Sequence, residues 1–301
     1  MAECLSWHKP VLAELAARHQ AGRMPHAMLL TAGSDPEAMA LASTLPYFIL
    51  CDTHNACGDC RACRLLEQGA HSDHHLCQPE GTSKVIKIDQ VRALVNIGAK
   101  TANYPAGKVL LLAPAGALNR NAANALLKFL EEPPANTYLV LVAAQTSQIP
   151  ATVISRCQKL VVARPDRQQA NDFLASRGLS AARADTLLAL SSNEPLLAMD
   201  IEESGSADGL LRLLATVEEW LADAAVARSL GQSAQGLEGN MLLRVLIANA
   251  HQSAMFGALE NDVSRRVLVW HKALVDLHGM YLRSPNINLP LALEQVCVNI
   301  R

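Results

Sequence analysis

Residues 120–134, R-N-A-A-N-A-L-L-K-F-L-E-E-P-P, decide the fold. Ala123, Leu126, Leu127 and Leu130 recur at three- and four-residue steps, which puts an apolar stripe on one face of a helix. Asn119 or Asn121 is placed to cap its start. Glu131-Glu132-Pro133-Pro134 stops it, because proline cannot continue a helix and restricts the residue before it. Residues 109–112 before this helix and 138–142 after it are unbroken apolar runs, the composition of parallel strands buried on both faces. Strand, helix and strand at this spacing predict a βαβ unit. Residues 149–160 then lead into another short apolar run at 160–163.

Composition bounds the rest. A chain of 301 residues can form two or three domains with substantial cores. Half of it is apolar but only 4% aromatic, and its wealth of Ala and Leu favours helices. A formal charge of -2 argues against strong binding of DNA by this chain alone, though other subunits of a complex can carry the positive charge. No stretch is long and apolar enough to span a membrane, and M-A-E-C-L-S-W-H-K-P is no signal peptide. Without a secretion signal, eight cysteines do not suggest a disulfide scaffold, and the close spacing of four of them points to metal.

Taken in order, residues 11–19 have a helical pattern with Val11, Leu12, Leu15 and Ala16 inward, and residues 26–30 read as the first core strand. Gly33 follows, where a phosphate-binding loop would start. The pattern G-x-x-x-x-G-K-[ST] would then need Gly, Lys and Ser or Thr at 38, 39 and 40, but the chain has Ala38, Met39 and Ala40. The lysine for the phosphates and the hydroxyl for magnesium are both missing. An ordinary strand–turn–helix with Met39 in the core is the preferred reading.

Cys51, Cys57, Cys60 and Cys63 follow with spacing C-x5-C-x2-C-x2-C. Four thiolates complete a closed tetrahedron, the structural zinc arrangement, with no position left for a catalytic water. An iron–sulfur cluster and free or disulfide-bonded cysteines are the rivals. His54, His71, His74, His75 and Cys77 lie near in sequence and either form a second site or, the favoured reading, a solvated His-rich surface loop.

Residues 85–92 begin extended and turn helical near Asp89, an N-cap candidate, with the helix running to about Lys100. After a turn at 104–107, Lys108 opens what reads as the central strand. In a nucleotide hydrolase that strand would end in acids that hold magnesium and orient water, yet Ala113 and Pro114 follow. Losing both the phosphate loop and the acidic strand end argues against hydrolysis. Arg156, in Ser155-Arg156-Cys157, has no evident local role. It is either solvated or locally paired, or it reaches a phosphate held by a neighbouring subunit.

Residues 88–92, 121–134 and 152–158, together with the four-cysteine module, resemble the clamp-loader branch of the AAA+ family, and within it the delta-prime type. The resemblance covers residues 5–200 well and the remainder only by layout. It implies a rigid subunit that binds no ATP productively and has no activity in isolation. The implied zinc is structural, held by Cys51, Cys57, Cys60 and Cys63. Arg156 is implied to act in trans at the ATP site of an adjacent motor subunit. Gly33, Ala38, Met39, Ala40, Ala113 and Pro114 match the degenerate nucleotide pattern. The implied partners are delta and gamma or tau subunits, with the sliding clamp and primed DNA reached through the complex in a cytoplasmic, nucleoid-associated replisome, and no membrane.

The expected architecture is an α/β AAA+-type domain with a parallel sheet over 1–164 and a zinc module inserted at about 51–63. A small helical lid over 165–205 and an all-helical collar over 206–301 complete it. Within the second domain, Leu196, Leu197 and Ala198 stand where a motor subunit often has a nucleotide-sensing arginine. Trp220 and Trp270 read as core or interface anchors, and Leu289, Leu291, Leu293, Val296 and Val298 as buried within the domain or against neighbours. The competing functions are a hydrolysing motor subunit of the same fold, opposed by the absent phosphate-loop lysine, and a zinc-containing DNA-binding module, opposed by the charge.

Overall fold

The structure is a computed structural model that describes residues 4–32, 35–81, 83, 85–143, 146, 149–256, 261–284 and 286–300. Gly33 lies outside the described residues. The chain divides into two compact units, Met1–Arg164 and Pro165–Arg301.

The first unit is α/β. Its elements in order are α1 (Lys9–Gln20), β1 (Ala27–Thr31), α2 (Asp35–Ile49), α3 (Arg61–Glu67), β2 (His74–Cys77), α4 (Ile88–Gly98), β3 (Lys108–Leu112), α5 (Arg120–Glu131), β4 (Thr137–Ala143), α6 (Ala151–Ile154) and β5 (Gln158–Val161). The sheet order is β2-β3-β4-β1-β5 and every pairing is parallel. The βαβ unit read from 109–142 is therefore present: β3 and β4 are neighbours, with Val109 opposite Tyr138 and Leu111 opposite Val140. The central strand is β4 rather than β3. Both are buried on both faces, so apolar composition alone could not rank them.

Helix α5 starts at its cap, where Asn119 Oδ1 accepts the Ala122 N–H at 2.8 Å. Ala122, Ala123, Leu126, Phe129 and Leu130 enter the core with Leu110, Leu139 and Leu141, while Leu127 is half-buried. Each fully buried Leu or Phe contributes about 1.5–3 kcal/mol of transfer free energy. Phe129 also sets how closely α4 can approach. A Cβ on Gly98 would lie 2.7 Å from the Phe129 ring and 2.9 Å from Leu110, so only glycine lets the two helices close over β3. Helix α4 begins at Ile88 after Lys87, whose N–H donates to the Gln90 side chain at 2.9 Å. Asp89 lies inside the first turn and is not the cap, because the Gln90 amide satisfies the helix entry instead. The helix ends on Lys108, whose buried ammonium donates to the carbonyls of Ile97 at 2.7 Å and Lys100 at 3.0 Å.

The second unit is all-helical among its described residues: α7 (Arg167–Ser176), α8 (Ala181–Leu190), α9 (Pro195–Glu203), α10 (Ala207–Ala222), α11 (Ala227–Ser233), α12 (Gly239–Phe256), α13 (Asn261–Arg283) and α14 (Leu289–Asn299). Trp220 and Trp270 sit in its core with ring centroids 5.4 Å apart, as their apolar context predicts. Helix α14 divides these apolar residues between two faces. Leu289, Leu293 and Cys297 face inward at four-residue steps, whereas Leu291 is 57% exposed and Val298 49%. The helix turns Leu291 and Val298 away from the inward face, so burial within the domain holds for Leu289 and Leu293 and not for these two.

Candidate functional site

Helix α2 runs into the segment 51–60, which leads on to α3. His54 and Ala56 have φ of 53° and 55°, and Gly58 has 79°. Left-handed backbone at two non-glycine residues costs of order 1 kcal/mol or more each and persists only when the surroundings over-determine it. Four sulfurs supply the surroundings. The Sγ atoms of Cys51, Cys57, Cys60 and Cys63 all lie within 4.8 Å of one another. Cys51 is 3.6 Å from Cys57 and 4.0 Å from Cys60. These separations far exceed the ~2.05 Å of a disulfide, which removes the disulfide alternative. They match the edge of about 3.8 Å that follows from four sulfurs about 2.3 Å from one tetrahedral ion. An iron–sulfur cube, with each thiolate on its own iron, would hold the sulfurs farther apart than this.

Local hydrogen bonds prepare the cage for anionic sulfur. The Cys60 N–H donates to the Cys57 sulfur and the Cys63 N–H to the Cys60 sulfur, each at 3.4 Å. The second bond also caps α3. Burial opposes the Cys51 thiolate, yet hydrogen bonds from the Thr53 side chain and from the backbone of Thr53, Asn55 and Cys57 bring its thiol down to about 5. Backbone N–H groups of Cys60 and Asp59 lower Cys57 as well. Burial drives Cys63 the other way, far up, and the Cys60 and Cys51 sulfurs add to it. Such a cluster cannot ionise fully on its own, and a divalent cation at its centre would let all four sulfurs do so. The four residues fit a single structural metal ion.

The neighbouring histidines do not join this cage, and they are no solvated loop. His74 and His75 lie on β2, paired with Val109 and Leu110 of β3, and His71 is buried against the Tyr104 ring at 4.6 Å. The polar letters of 71–75 concealed a strand anchored by Asp73. The Asp73 carboxylate is buried and accepts from the Asn103 N–H, the Asn103 side-chain amide and the Tyr104 N–H at 2.8–3.1 Å.

Because all pairings are parallel, Thr31, Cys77, Leu112, Ala143 and Val161 end their strands along one edge of the sheet. This is the edge where open α/β sheets place ligands. Ala38 in the second turn of α2 is 0% exposed, and Ala113, just past β3, is 7% exposed, with Pro114 half-buried after it. Met39 and Ala40 are half-buried, so Ala38 rather than Met39 is the core residue of that turn. The carboxylate of Glu37 is turned inward as well: Trp7 Nε1 donates to its Oε2 at 3.1 Å, and His8 Nε2 lies 3.6 Å from the same oxygen.

Arg156 follows α6 and has the local role that its sequence context hid. Its Nε and Nη2 donate to Glu131 Oε1 at 3.0 and 2.7 Å, and its Nη1 to the Thr152 carbonyl at 2.9 Å. In the sequence Glu131 reads only as part of a helix stop. Its one visible signal was an acid in the last turn of α5. Burial pushes the adjacent Cys157 thiol up to about 11, so it is not a reactive group.

A family profile described as DNA polymerase III, delta subunit, matches residues 7–166. A DNA polymerase III subunit delta' of Pseudomonas aeruginosa is 36% identical over 77% of this chain and 72% of its own length. That of Escherichia coli is 36% identical over 63% of this chain and 58% of its own. Among solved structures, a DNA polymerase III gamma subunit-related protein of Thermotoga maritima superposes with a TM-score of 0.50. It is 18% identical, and the match covers 95% of this chain and 97% of that one. The last likeness is one of fold.

Proposed function

The chain belongs to the delta-prime family of bacterial DNA polymerase III subunits, and from that membership we propose that it is a non-hydrolysing subunit of a clamp loader. It helps place the sliding clamp on primed DNA, in complex with delta and gamma or tau subunits, in the cytoplasm at the replisome. Residues 165–205 would serve as the lid of the AAA+ part and residues 206–301 as the collar that joins the subunits. The observation that carries the non-hydrolysing role is the set Met39, Ala40 and Ala113, which stand where a hydrolase has its lysine, its hydroxyl and its strand-end acid. A hydrolysing motor needs a lysine and a hydroxyl on the first of these loops and acids on the second. None of Met39, Ala40 and Ala113 has a charged group or hydroxyl with which to hold a phosphate or magnesium.

Zinc is the metal we assign to the cage of Cys51, Cys57, Cys60 and Cys63, and it acts by holding the loop in shape. Arg156 is the group this chain offers to chemistry, at the ATP bound by the adjacent motor subunit. A guanidinium is always charged and its fork matches phosphate oxygens, so it stabilises charge developing on the transferred phosphoryl group. A finger of this kind contributes about three to five powers of ten in the best-studied cases. The contribution here is smaller, because a complex with several ATP sites loses only one of them.

The test is steady-state ATP turnover and clamp loading by reconstituted complexes that carry this chain, carry Arg156→Ala, or omit it. Omission should abolish efficient loading. Arg156→Ala should assemble normally and lower the turnover stimulated by clamp and DNA. Equal rates with and without the substitution would reduce Arg156 to a structural arginine. Saturable, magnesium-dependent ATP binding by the isolated chain would overturn the non-hydrolysing assignment.

A further inference from the structure

Glu131 is the last residue of α5, where unpaired carbonyls already gather partial negative charge. A carboxylate at that pole is opposed by the helix dipole, so helix formation does not explain it. Arg156, 25 residues farther on, does: both of its N–H groups on one edge converge on Glu131 Oε1. A guanidinium grips a phosphate in bidentate fashion along its Nε–Nη2 edge or its Nη1–Nη2 edge. Glu131 occupies the first edge completely. The Thr152 carbonyl at 2.9 Å and the Ser155 hydroxyl at 3.4 Å occupy Nη1, which removes half of the second. In this arrangement Arg156 cannot take a phosphate by either edge.

Resting on the reading of Arg156 as a trans-acting finger, we propose that Glu131 is a positioning residue that holds the finger in reserve. Its carboxylate stands in for phosphate until the phosphoryl group at the neighbouring subunit's site displaces it. The exchange swaps one anion for another on the same guanidinium and breaks no covalent bond. The pair is suited to reversal, since the side chains of Arg156 and Glu131 are 36% and 51% exposed and water and salt can weaken it. While it holds, the finger is aimed but neutralised, and ATP turnover waits for the closed complex that brings the phosphate within reach.

The experiment uses reconstituted clamp-loader complexes with four forms of this chain: unchanged, Glu131→Gln, Arg156→Ala and both together. ATP turnover is measured with and without clamp and primed DNA. Glu131→Gln keeps the shape of the side chain and removes the competing charge. It should raise turnover in the absence of clamp and DNA by about two- to five-fold, the range that freeing a half-exposed ion pair allows. Adding Arg156→Ala should cancel that rise completely, which no merely structural effect of Glu131→Gln would do. Added salt should raise turnover of the unchanged complex toward that of Glu131→Gln, because it screens the pair. If Arg156→Ala lowers stimulated turnover while Glu131→Gln leaves unstimulated turnover unchanged or lower, the reserve role is overturned and the finger stands. If Arg156→Ala changes nothing, the finger itself falls and Glu131 with it. A circular-dichroism melt of each isolated chain separates loss of folding from either result, and Glu131→Asp, which keeps the charge on a shorter arm, serves as the second variant.

Discussion

The cysteine loop at 51–63 and the C-terminal edge of the sheet are opposites. In the loop, the reactive side chains are retained and the backbone is bent around them, through left-handed residues that little apolar packing supports. At the sheet edge the scaffold is retained and the reactive side chains are gone, with Met39, Ala40 and Ala113 where functional groups would stand in a hydrolase. Polar chemistry thus survives in the first region because the fold depends on it, and is absent from the second although the fold there is complete. The sheet edge is a frame without reactive groups, and the loop is a staple whose four sulfurs gather around its own bent backbone.

The sharpest way to break that contrast is to remove one sulfur. Cys60 binds the cage and also caps α3, so Cys60→Ser should take bound zinc from one per chain to none and open residues 51–67. Structural zinc contributes on the order of 10 kcal/mol to small domains that depend on it entirely. A loop attached to a finished sheet should lose several kcal/mol of that scale. Elemental analysis and amide hydrogen exchange read both effects, with exchange rising in the loop and not in β3 or β4. A metal content near zero in unsubstituted chain, with all four thiols intact and reduced, would remove the staple from the argument.

The next effect is smaller and comes from the other side. Ala113→Asp puts a carboxylate into a nearly closed position, and should destabilise the first unit by about 2–4 kcal/mol in urea unfolding. Even combined with Met39→Lys it should create no magnesium-dependent ATP binding, because Trp7, His8 and Glu37 already fill the neighbourhood of the first loop. Binding by that double variant would show an open site that lacks only its groups, and would make the two regions alike.

How much of this was legible depends on what each segment advertises. The βαβ unit was plain, because 109–112, 123–130 and 138–142 carry their periodicity without interruption. The cage was plain too, since cysteine spacing states ligand geometry directly. Strand β2 was not, because His74 and His75 are polar letters whose pairing partners lie more than thirty positions away in β3. Glu131 and Arg156 were seen separately and not as a pair, since a contact spanning 25 residues leaves no periodic trace. The outward face of Leu291 was not legible, because leucines at 289, 291 and 293 do not by themselves show which of them a helix turns outward.

The histidines of β2 are a control for the contrast, being potential ligands that the fold has half-buried without assembling them into the cage. Burial, with lesser repulsion from His75 and His71, pulls His74 down to about 4 from the ordinary 6.5. A histidine depressed in the folded state stays neutral while its unfolded counterpart takes up a proton. Stability should therefore be full above about pH 6.5 and decline as pH falls toward 4. The loss should be on the order of 1–2 kcal/mol, discounted for the part of the ring that solvent reaches. His74→Gln should flatten urea midpoints across this window. A midpoint that stays level from pH 6.5 to 4.5 in the unsubstituted chain would show that solvent reaches His74 freely.

The smallest expected effect on stability belongs to the residue with the largest proposed role. Arg156 makes three hydrogen bonds within 3.0 Å, yet it and Glu131 are both half in water. Exposed pairs of this kind contribute about 0.2–1 kcal/mol once side-chain ordering and screening are counted. Glu131, left alone at the end of α5, would face solvent and not an apolar wall, so no buried charge is stranded. Arg156→Ala in the isolated chain should accordingly shift the urea midpoint by less than about 1 kcal/mol of stability and leave zinc content at one per chain. If it instead cost several kcal/mol, the arginine would belong with the staple, as a group kept because the fold needs it. A near-silent substitution in the isolated chain leaves the retention of a charged fork, at the sheet edge opposite Ala113, without a structural cause, and that is the condition under which a role at a neighbour's phosphate becomes the remaining explanation.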